Sequence, residues 1–325
     1  MGTKIPKNAI DLFSGVKIVR EKSTLKSISV LCKEAKELGE LKEVWGKFVG
    51  EGQVILFASP RGVGKSLLLM QLCISISYGS ENFLGEKIGR FGNTLYINLE
   101  MGENIIKRRV HKIFANCPFE KQNNYEAHIR TTRHSLDEDV TEIIEFIMRV
   151  KPILIVIDNL RMSFLNFDFN SGANVSDFMK KIIYLRDITK SAIILVDHFK
   201  KYTSNSLIDE DSFSGSGVKL DLSDGAFFFL KSNQATNLRL LKRGKSREFE
   251  ESDNVKLIEF NIETLWFSLK EESVNEADHL GLKKLSDKLE LLDKAKELKE
   301  AGKTLDEIAA ILGKGKTTIH RWLSN

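Results

Sequence analysis

Five short apolar runs, separated by segments with a helical pattern, constrain the fold of this 325-residue chain most strongly. Each run is about five to seven residues long and contains almost no polar side chain. Such runs are typical of strands that are buried on both faces, as in a parallel sheet covered by helices. The runs occupy residues 54–58, 94–99, 152–158, 192–197 and 225–230.

Helical patterns fill the intervals between these runs, and strands that alternate with helices in this way predict a doubly wound α/β domain with a mostly parallel sheet. The predicted helices cover residues 66–78, 103–115, 137–150 and 176–190. Shorter runs then suit antiparallel strands that close one edge of the sheet. These runs occupy residues 238–243, 255–262 and 264–270.

Composition is ordinary for a soluble globular protein, since 42% of the residues are hydrophobic and 29% are charged. No apolar run reaches the roughly 18 residues that a transmembrane helix needs, so no membrane association is expected. Three widely spaced cysteines favour free thiols in a reducing cytoplasm over a disulfide framework or a zinc site. The net charge of +4 permits nucleic-acid binding without arguing for it.

The first apolar run leads into a glycine-containing loop and then into a helix, which is the context of a phosphate-binding loop. Its glycines let backbone N–H groups turn inward around phosphates, and the helix amino terminus adds partial positive charge. Lys65 is expected to reach the β- and γ-phosphates of ATP, and the Ser66 hydroxyl to ligate Mg²⁺. Ser59 stands where the motif usually has its first glycine, and its small side chain allows the loop to close. The predicted nucleotide-binding residues are Ser59, Pro60, Arg61, Gly62, Val63, Gly64, Lys65, Ser66 and Leu67.

Three other strand ends carry polar side chains that are expected at the same edge of the sheet. Asp158 ends the third run and would hold Mg²⁺ through a water molecule; the alternative is an ordinary strand-end turn. Glu100 follows the second run, where it can polarise the attacking water or simply cap the next helix. His198 follows the fourth run, where it would sense the γ-phosphate or fill a polar pocket at the sheet edge.

A basic segment follows the last parallel run and is expected to form a turn between strands. It would reach the ATP of a neighbouring subunit as an arginine finger. A solvated hairpin and a nucleic-acid contact are the alternatives. The segment reads Lys242-Arg243-Gly244-Lys245-Ser246-Arg247.

These motifs together resemble the RecA-like ATPases with a phosphate-binding loop. Within that group the chain looks most similar to plasmid RepA helicases, with the DnaB-type replicative helicases more distant. The resemblance covers roughly residues 40–270. Besides the phosphate loop, it rests on LYINLEMGENIIKRR (95–109), IVIDNL (155–160), VDHFKK (196–201) and FSGSG (213–217).

The resemblance implies a ring-forming ATPase that acts on DNA, as a homo-oligomer such as a hexamer. Lys65 and Ser66 would match the Walker A pair and Asp158 the Walker B carboxylate. Glu100 would match the catalytic glutamate and His198 the sensor, although family members often carry two histidines where this chain has Asp-His.

The resemblance also implies two sets of contacts outside the phosphate site. Either Arg243 or Arg247 would supply the arginine finger in trans, with Lys245 beside it. The segment 200–217 would face the central channel, where Lys200 and Lys201 would contact DNA phosphates. Three acidic residues in that segment would repel phosphate. They are Asp209, Glu210 and Asp211.

The carboxyl-terminal residues predict three helices with a tight turn between the last two. Thr304 and Glu307 form a capping box, and Gly313 ends the helix that they begin. The arrangement resembles the helix-turn-helix modules of resolvases and transposon proteins, although a helical bundle for protein docking is the alternative. The last helix would present polar and basic residues to DNA. They are Lys314, Lys316, Thr317, Thr318, His320 and Arg321.

Three regions are predicted along the chain. An amino-terminal helical extension covers residues 1–39, with an amphipathic helix over 24–41. The RecA-like ATPase domain covers 40–272, and a linker with the helix-turn-helix module covers 273–325. The polar stretch 271–285 is interpreted as that linker.

Three functions fit these features. The first is a ring ATPase, such as a RepA-like helicase or replication protein of a plasmid or mobile element. The second is an ATP-dependent switch that assembles on DNA to regulate or recruit partners without moving along it. The third is a recombination mediator of the RecA class.

Overall fold

A computed structural model describes residues 25–39, 41–132, 140–160, 171–199, 217–249 and 254–323. The described chain divides into two compact units. The larger unit contains nearly all the residues up to Val274. The smaller unit contains residues 275–323 together with 232–234. The domain boundaries after residues 39 and 272 stay predictions.

The larger unit is built from short strands that alternate with helices. Its helices are α1 (Ile28–Leu38), α2 (Lys65–Tyr78), α3 (Glu103–Ala115), α4 (Val140–Val150), α5 (Gly172–Thr189) and α6 (Val218–Leu222). Its strands are β1 (Glu43–Trp45), β2 (Val49–Gly50), β3 (Val54–Ser59), β4 (Asn82–Phe83), β5 (Glu86–Lys87), β6 (Thr94–Asn98), β7 (Ala127–Thr131), β8 (Leu154–Asp158), β9 (Ala192–His198), β10 (Gly225–Lys231), β11 (Leu238–Ser246), β12 (Val255–Phe260) and β13 (Phe267–Val274).

The central sheet has the order β13-β12-β11-β10-β3-β9-β8-β6-β7 among the described residues. The strands from β7 to β10 run parallel, and β11, β12 and β13 add an antiparallel extension beyond β10. The predicted fold class, an α/β fold with a mostly parallel sheet and carboxyl-terminal helices, is therefore confirmed. All five apolar runs form strands of the parallel part, and the three shorter runs form the antiparallel part.

Strand β7 is the one member of the parallel sheet that the apolar runs did not predict. It lies at the sheet edge and pairs only with β6 among the described strands. Its residues are all half-buried and include His128 and Arg130, so the sequence has no continuous apolar run there. An edge strand is less enclosed by neighbours than a central strand, and its pattern is accordingly weaker.

Helix α2 packs against the centre of the sheet and carries the phosphate loop at its amino terminus. Eleven of its residues are buried, so it is apolar nearly all round and not amphipathic. The same core contains stacked aromatic rings, with 4.5 Å between the centroids of Phe57 and Phe227 and 4.8 Å between those of Trp45 and Phe48. These rings pack β3 against β10 and against the segment that contains β1 and β2.

Two sequence expectations near the end of the larger unit are wrong. The basic segment at 242–247 is not a turn, because its residues up to Ser246 belong to β11 and pair with β10. The stretch 271–285 is not a linker, because β13 continues to Val274 and two further helices begin within it. The Asn275 side chain caps the first of these helices by accepting a hydrogen bond from Ala277 N at 2.9 Å.

The smaller unit contains α7 (Glu276–Leu280), α8 (Leu282–Glu300), α9 (Leu305–Leu312) and α10 (Lys316–Leu323). Its core consists of Ala295, Ile308, Ile319 and Trp322. The predicted capping box is present, with Thr304 and Glu307 each bonding the other's backbone N–H. Gly313 ends α9 in the left-handed conformation, at φ 62°. None of the described helices is both long and apolar enough to cross a membrane.

Candidate nucleotide-binding site

The register of the parallel strands brings the predicted site residues to one edge of the sheet. Ser59 at the end of β3 pairs with His198 at the end of β9. Asp158 at the end of β8 pairs with Asn98, two residues before Glu100. Because all four strands end at this edge, their last side chains converge on the loop that follows β3.

The phosphate loop has the backbone shape that its two glycines allow. Gly62 has φ 70° and Gly64 has φ 107°, both in the left-handed region that other residues rarely adopt. A Cβ atom on Gly64 would lie 2.9 Å from Cζ of Phe267 in β13, so the loop also has no room for a side chain there. Ser59 is fully buried and causes no break in the loop, since its carbonyl oxygen accepts from Lys65.

Lys65 begins α2 and is buried beneath this loop. Its Nζ donates to the carbonyl oxygens of Ser59 at 3.3 Å and Pro60 at 3.2 Å, and lies 3.3 Å from Nδ1 of His198. Burial lowers the pKa of the Lys65 ammonium, while the nearby carboxylates of Asp158 and Glu100 oppose that shift. Among the described residues, the hydrogen-bond partners of this ammonium are two carbonyl oxygens and a ring nitrogen, so it can bind an anion such as a phosphate.

Asp158 has one carboxylate oxygen in use and one free. Its Oδ2 accepts hydrogen bonds from Ser66 Oγ, at 2.6 Å, and from the hydroxyl of Tyr96. Its Oδ1 is buried and has no hydrogen-bond partner in the described part of the chain. Burial raises the pKa of Asp158 and raises that of Tyr96 well above its usual range, so Tyr96 stays a donor. A buried carboxylate oxygen without a partner, beside a serine hydroxyl, fits the oxygen ligands that Mg²⁺ prefers.

Glu100 and His198 lie on either side of Asn159, which directly follows Asp158. Asn159 Nδ2 donates to Glu100 Oε2 at 2.5 Å and lies 3.5 Å from Nε2 of His198. Glu100 is exposed, whereas Asn159 is buried. The exposed carboxylate is therefore held by the buried Asn159 amide and remains accessible to water at the opening of the site.

A cavity of about 540 Å³ extends from the phosphate loop, and four of the residues that line it were not predicted from the sequence. Arg239, at the start of β11, donates from Nε to the carbonyl oxygen of Val63 at 2.8 Å. Its guanidinium also lies 5.9 Å from the ring centroid of Phe260, which lines the cavity too. Arg109 and Met101 also line the cavity and contact each other.

Tyr96, Asn159 and Arg239 contact the site but were not predicted as site residues, because the sequence gives only weak signals for them. In the run at 94–99, Tyr96 and Asn98 are two residues apart, so their side chains are expected on the same face of the strand. Asn159 follows a strand-end aspartate directly. Arg239 lies about 175 residues after the loop that it contacts, and nothing local in the sequence connects the two.

Neither candidate finger arginine is among the residues that line this cavity. Arg243 lies in β11, and Arg247 directly follows that strand. Ser246 pairs with Gly225, which in turn pairs with Ile55 at the amino end of β3. Arg243 is buried and donates to Lys47 O at 3.4 Å, and Arg247 pairs with Asp224 at 3.4 Å. The contacts given for the two arginines are therefore with Lys47 and Asp224 and not with the phosphate loop.

The predicted DNA contacts fall into two groups. Lys200 and Lys201 lie outside the described residues, as do Asp209, Glu210 and Asp211. The other candidates lie on α10 or on the turn before it, where Lys314, Lys316 and His320 are exposed. Lys316 Nζ donates to Asp306 on α9 at 2.7 Å. Thr317, Thr318 and Arg321 also belong to α10.

Comparison with known proteins agrees with this geometry. The chain is 26% identical over 269 residues to the DNA repair protein RadA of Bacillus subtilis (strain 168). That alignment covers 81% of this chain and 51% of RadA, so the chain spans about half the length of the curated relative that it matches. The family model described as "AAA domain" matches residues 20–204, which is more than half of the chain. With its RecA-like core and phosphate loop, the chain belongs to the AAA domain family.

Proposed function

We propose that this protein hydrolyses ATP and acts on DNA as a RecA-like ring ATPase. Within that class, we propose a RepA-like helicase or replication protein of a plasmid or mobile element. The observation that carries the proposal is the convergence of Lys65, Asp158, Glu100 and His198 on one glycine-containing loop. Each of the four lies at the end of a parallel strand or at the start of the helix that follows it.

The phosphate loop would bind the triphosphate. Backbone N–H groups of the loop and the amino terminus of α2 favour phosphate oxygens, and Lys65 adds a full positive charge. The Lys65 ammonium is now held by two carbonyl oxygens and by the ring nitrogen of His198. A phosphate carries negative charge and would bind the ammonium more strongly than these partners do. His198, which faces Lys65 through Nδ1, is positioned to respond to that replacement.

Asp158 and Ser66 fit a Mg²⁺ ion that accompanies ATP. When bound, Mg²⁺ would neutralise charge on the β- and γ-phosphate oxygens. The free Oδ1 of Asp158 would hold the ion, directly or through a water, and the Ser66 hydroxyl would be its other protein ligand. Neither residue needs to supply chemistry beyond this binding.

Glu100 would act as the general base of hydrolysis. Its carboxylate accepts the proton of a water molecule as that water's oxygen bonds to the γ-phosphorus. The bond from the γ-phosphorus to the bridging oxygen breaks, and ADP leaves with the electron pair. The contact from Asn159 fixes the carboxylate, while the exposure of Glu100 gives it access to water.

Two observations support action on DNA. The similarity to RadA, a protein named for DNA repair, favours a DNA-related role. The smaller unit presents exposed basic residues on a short helix after a tight turn, as helix-turn-helix modules do. A ring or other homo-oligomer would present several copies of this module and raise its weak affinity by effective concentration. In such an assembly Arg243 or Arg247 would act as an arginine finger on the ATP of the neighbouring subunit.

The proposal is tested by measuring the ATPase rate with no DNA, with single-stranded DNA and with duplex DNA. We expect hydrolysis that DNA stimulates, and loss of hydrolysis in Lys65→Ala. Lys180→Ala, which removes an exposed lysine on α5, is the matched control and should keep the wild-type rate. Full turnover by Lys65→Ala would remove the mechanism, and a rate indifferent to both DNAs would remove the DNA role.

The similarity to RadA specifically favours one second candidate, a recombination or repair mediator of the RecA class. Strand displacement on a forked duplex, together with electron micrographs in the presence of ATP, separates the two. Closed rings that unwind the fork support the helicase. Filaments without unwinding support the mediator, and DNA-bound assemblies with neither activity indicate an ATP-dependent switch.

A further inference from the structure

We propose that Tyr96 is a positioning residue of the ATP site, which holds Asp158 so that its second oxygen faces the metal ion. The inference rests on the proposed function, because it concerns the Mg²⁺ that accompanies ATP. It adds a residue from the middle of a strand to a site otherwise built from strand ends and loops.

The sheet places Tyr96 on the same face as the site. Tyr96 pairs with Val156, and Asn98 pairs with Asp158, in the parallel ladder of β6 and β8. Side chains two residues apart point to the same face of a strand, so the Tyr96 and Asp158 side chains share the face that α2 covers. The Tyr96 ring is completely buried there and runs along the sheet toward the carboxylate.

Two hydroxyls share one oxygen of Asp158 and leave the other free. Ser66 and Tyr96 both donate to Oδ2, while Oδ1 is buried without a hydrogen-bond partner among the described residues. A carboxylate held through one oxygen has its rotation about the Cβ–Cγ bond fixed. The position of the free oxygen is therefore decided by the two donors on its neighbour.

The two donors differ in what else they can do. The Ser66 hydroxyl is the expected ligand of Mg²⁺, and a serine hydroxyl can rotate freely to a new partner. The Tyr96 hydroxyl is fixed by a buried ring in a strand that has neighbours on both sides, and Asp158 is the acceptor that the structure gives it. Tyr96 can therefore keep its hold on Asp158 after Ser66 has turned to the metal.

The test compares Tyr96→Phe with the wild-type protein by titrating ATP calorimetrically in Mg²⁺ and again in EDTA. Phenylalanine keeps the buried ring and removes only the hydroxyl. We expect ATP affinity in EDTA to stay within about twofold of wild type, while affinity in Mg²⁺ falls about tenfold, as for loss of one hydrogen bond to a charged group. Tyr78→Phe, which removes the hydroxyl of a half-buried tyrosine at the far end of α2, should match wild type in both titrations.

A second measurement follows hydrolysis as Mg²⁺ is titrated. Tyr96→Phe should need about tenfold more Mg²⁺ for half-maximal rate and should reach nearly the wild-type rate at saturation, because the catalytic groups are intact. Equal Mg²⁺ dependence in the variant and wild type would overturn the inference, and so would an equal loss of ATP affinity in Mg²⁺ and EDTA. If wild type binds no ATP in either titration, the proposed function itself fails.

Discussion

The side-chain amide of Asn159 donates a hydrogen bond of 2.5 Å to the carboxylate of Glu100, and this bond joins the ends of two neighbouring strands. Asn159 follows β8 and Glu100 follows β6, so the contact joins the strand end that carries Asp158 to the one that carries the proposed general base. The buried amide thereby fixes the direction of an exposed carboxylate, which is what a general base requires.

Glu100→Gln should slow ATP hydrolysis by about 10²-fold or more, because an amide cannot accept the proton of the attacking water. Nucleotide affinity should change little, since Glu100 makes no contact with the phosphate loop in the hydrogen bonds described above. Steady-state ATPase rates and calorimetric ATP binding check the two halves of this prediction. An unchanged rate would mean that the Glu100 carboxylate has a structural role and is not the general base.

Lys219→Met should destabilise the protein strongly. Lys219 and Asp197 form an ion pair in which both side chains are only 2% exposed, and Asp197 also accepts from His198 N at 2.7 Å. Removing one partner of a buried pair leaves an uncompensated charge and costs about 3–5 kcal/mol of unfolding free energy. Urea unfolding measures this loss, and the double variant Asp197→Leu with Lys219→Met should recover much of it. A single variant as stable as wild type would contradict the buried pair.

Cys73 should resist alkylation in the folded protein. Burial raises the pKa of its thiol to about 12, from the ordinary 9.0, so the reactive thiolate is about a thousandfold scarcer at neutral pH. The folded state favours the protonated thiol, so this group weakens stability only as the pH rises from 9 toward 12. Mass spectrometry after brief iodoacetamide treatment should find Cys32, which is exposed, labelled first. Rapid labelling of Cys73 without denaturant would contradict the burial of α2.

A chain that ends at residue 281 should keep ATP hydrolysis and lose most of its affinity for duplex DNA. The cut follows β13 and α7, so it leaves the central sheet whole and removes the three helices α8, α9 and α10. Gel-shift and ATPase assays compare this chain with the full chain. Lys314→Ala with His320→Ala in the full chain is the finer variant and should weaken duplex binding without removing the helices. Equal duplex binding by all three proteins would reduce the smaller unit to a docking role.

Local sequence patterns correctly predicted much of this fold. The five parallel strands with continuous apolar runs, the helix at 103–115 and the capping box at Thr304 were all predicted at or near their observed bounds. The apolar runs predict strands because a strand covered on both faces has little room for polar side chains. The strand ends predicted the convergence of Lys65, Asp158, Glu100 and His198 because parallel strands share one carboxyl edge.

The parts that the sequence left open depend on contacts between distant residues. Strand β7 is half-buried at an edge of the sheet, so it lacks the continuous apolar run that predicted the other parallel strands. The basic segment at 242–247 was assigned to a turn because its charges suit solvent, yet pairing with β10 keeps it extended. Tyr96 and Arg239 could not be assigned, because the role of each comes from a partner on another strand or loop.

Phe267 lies against Gly64, and Arg239 bonds the carbonyl of Val63, so the phosphate loop is shaped by residues that follow it by about 175 to 200 positions. During synthesis the loop leaves the ribosome long before these two side chains do. A nascent chain shorter than about 270 residues would contain the whole phosphate loop but would lack the contact that Phe267 makes with it. Competence to bind ATP should therefore arise late, in one step, once the antiparallel strands have joined the sheet.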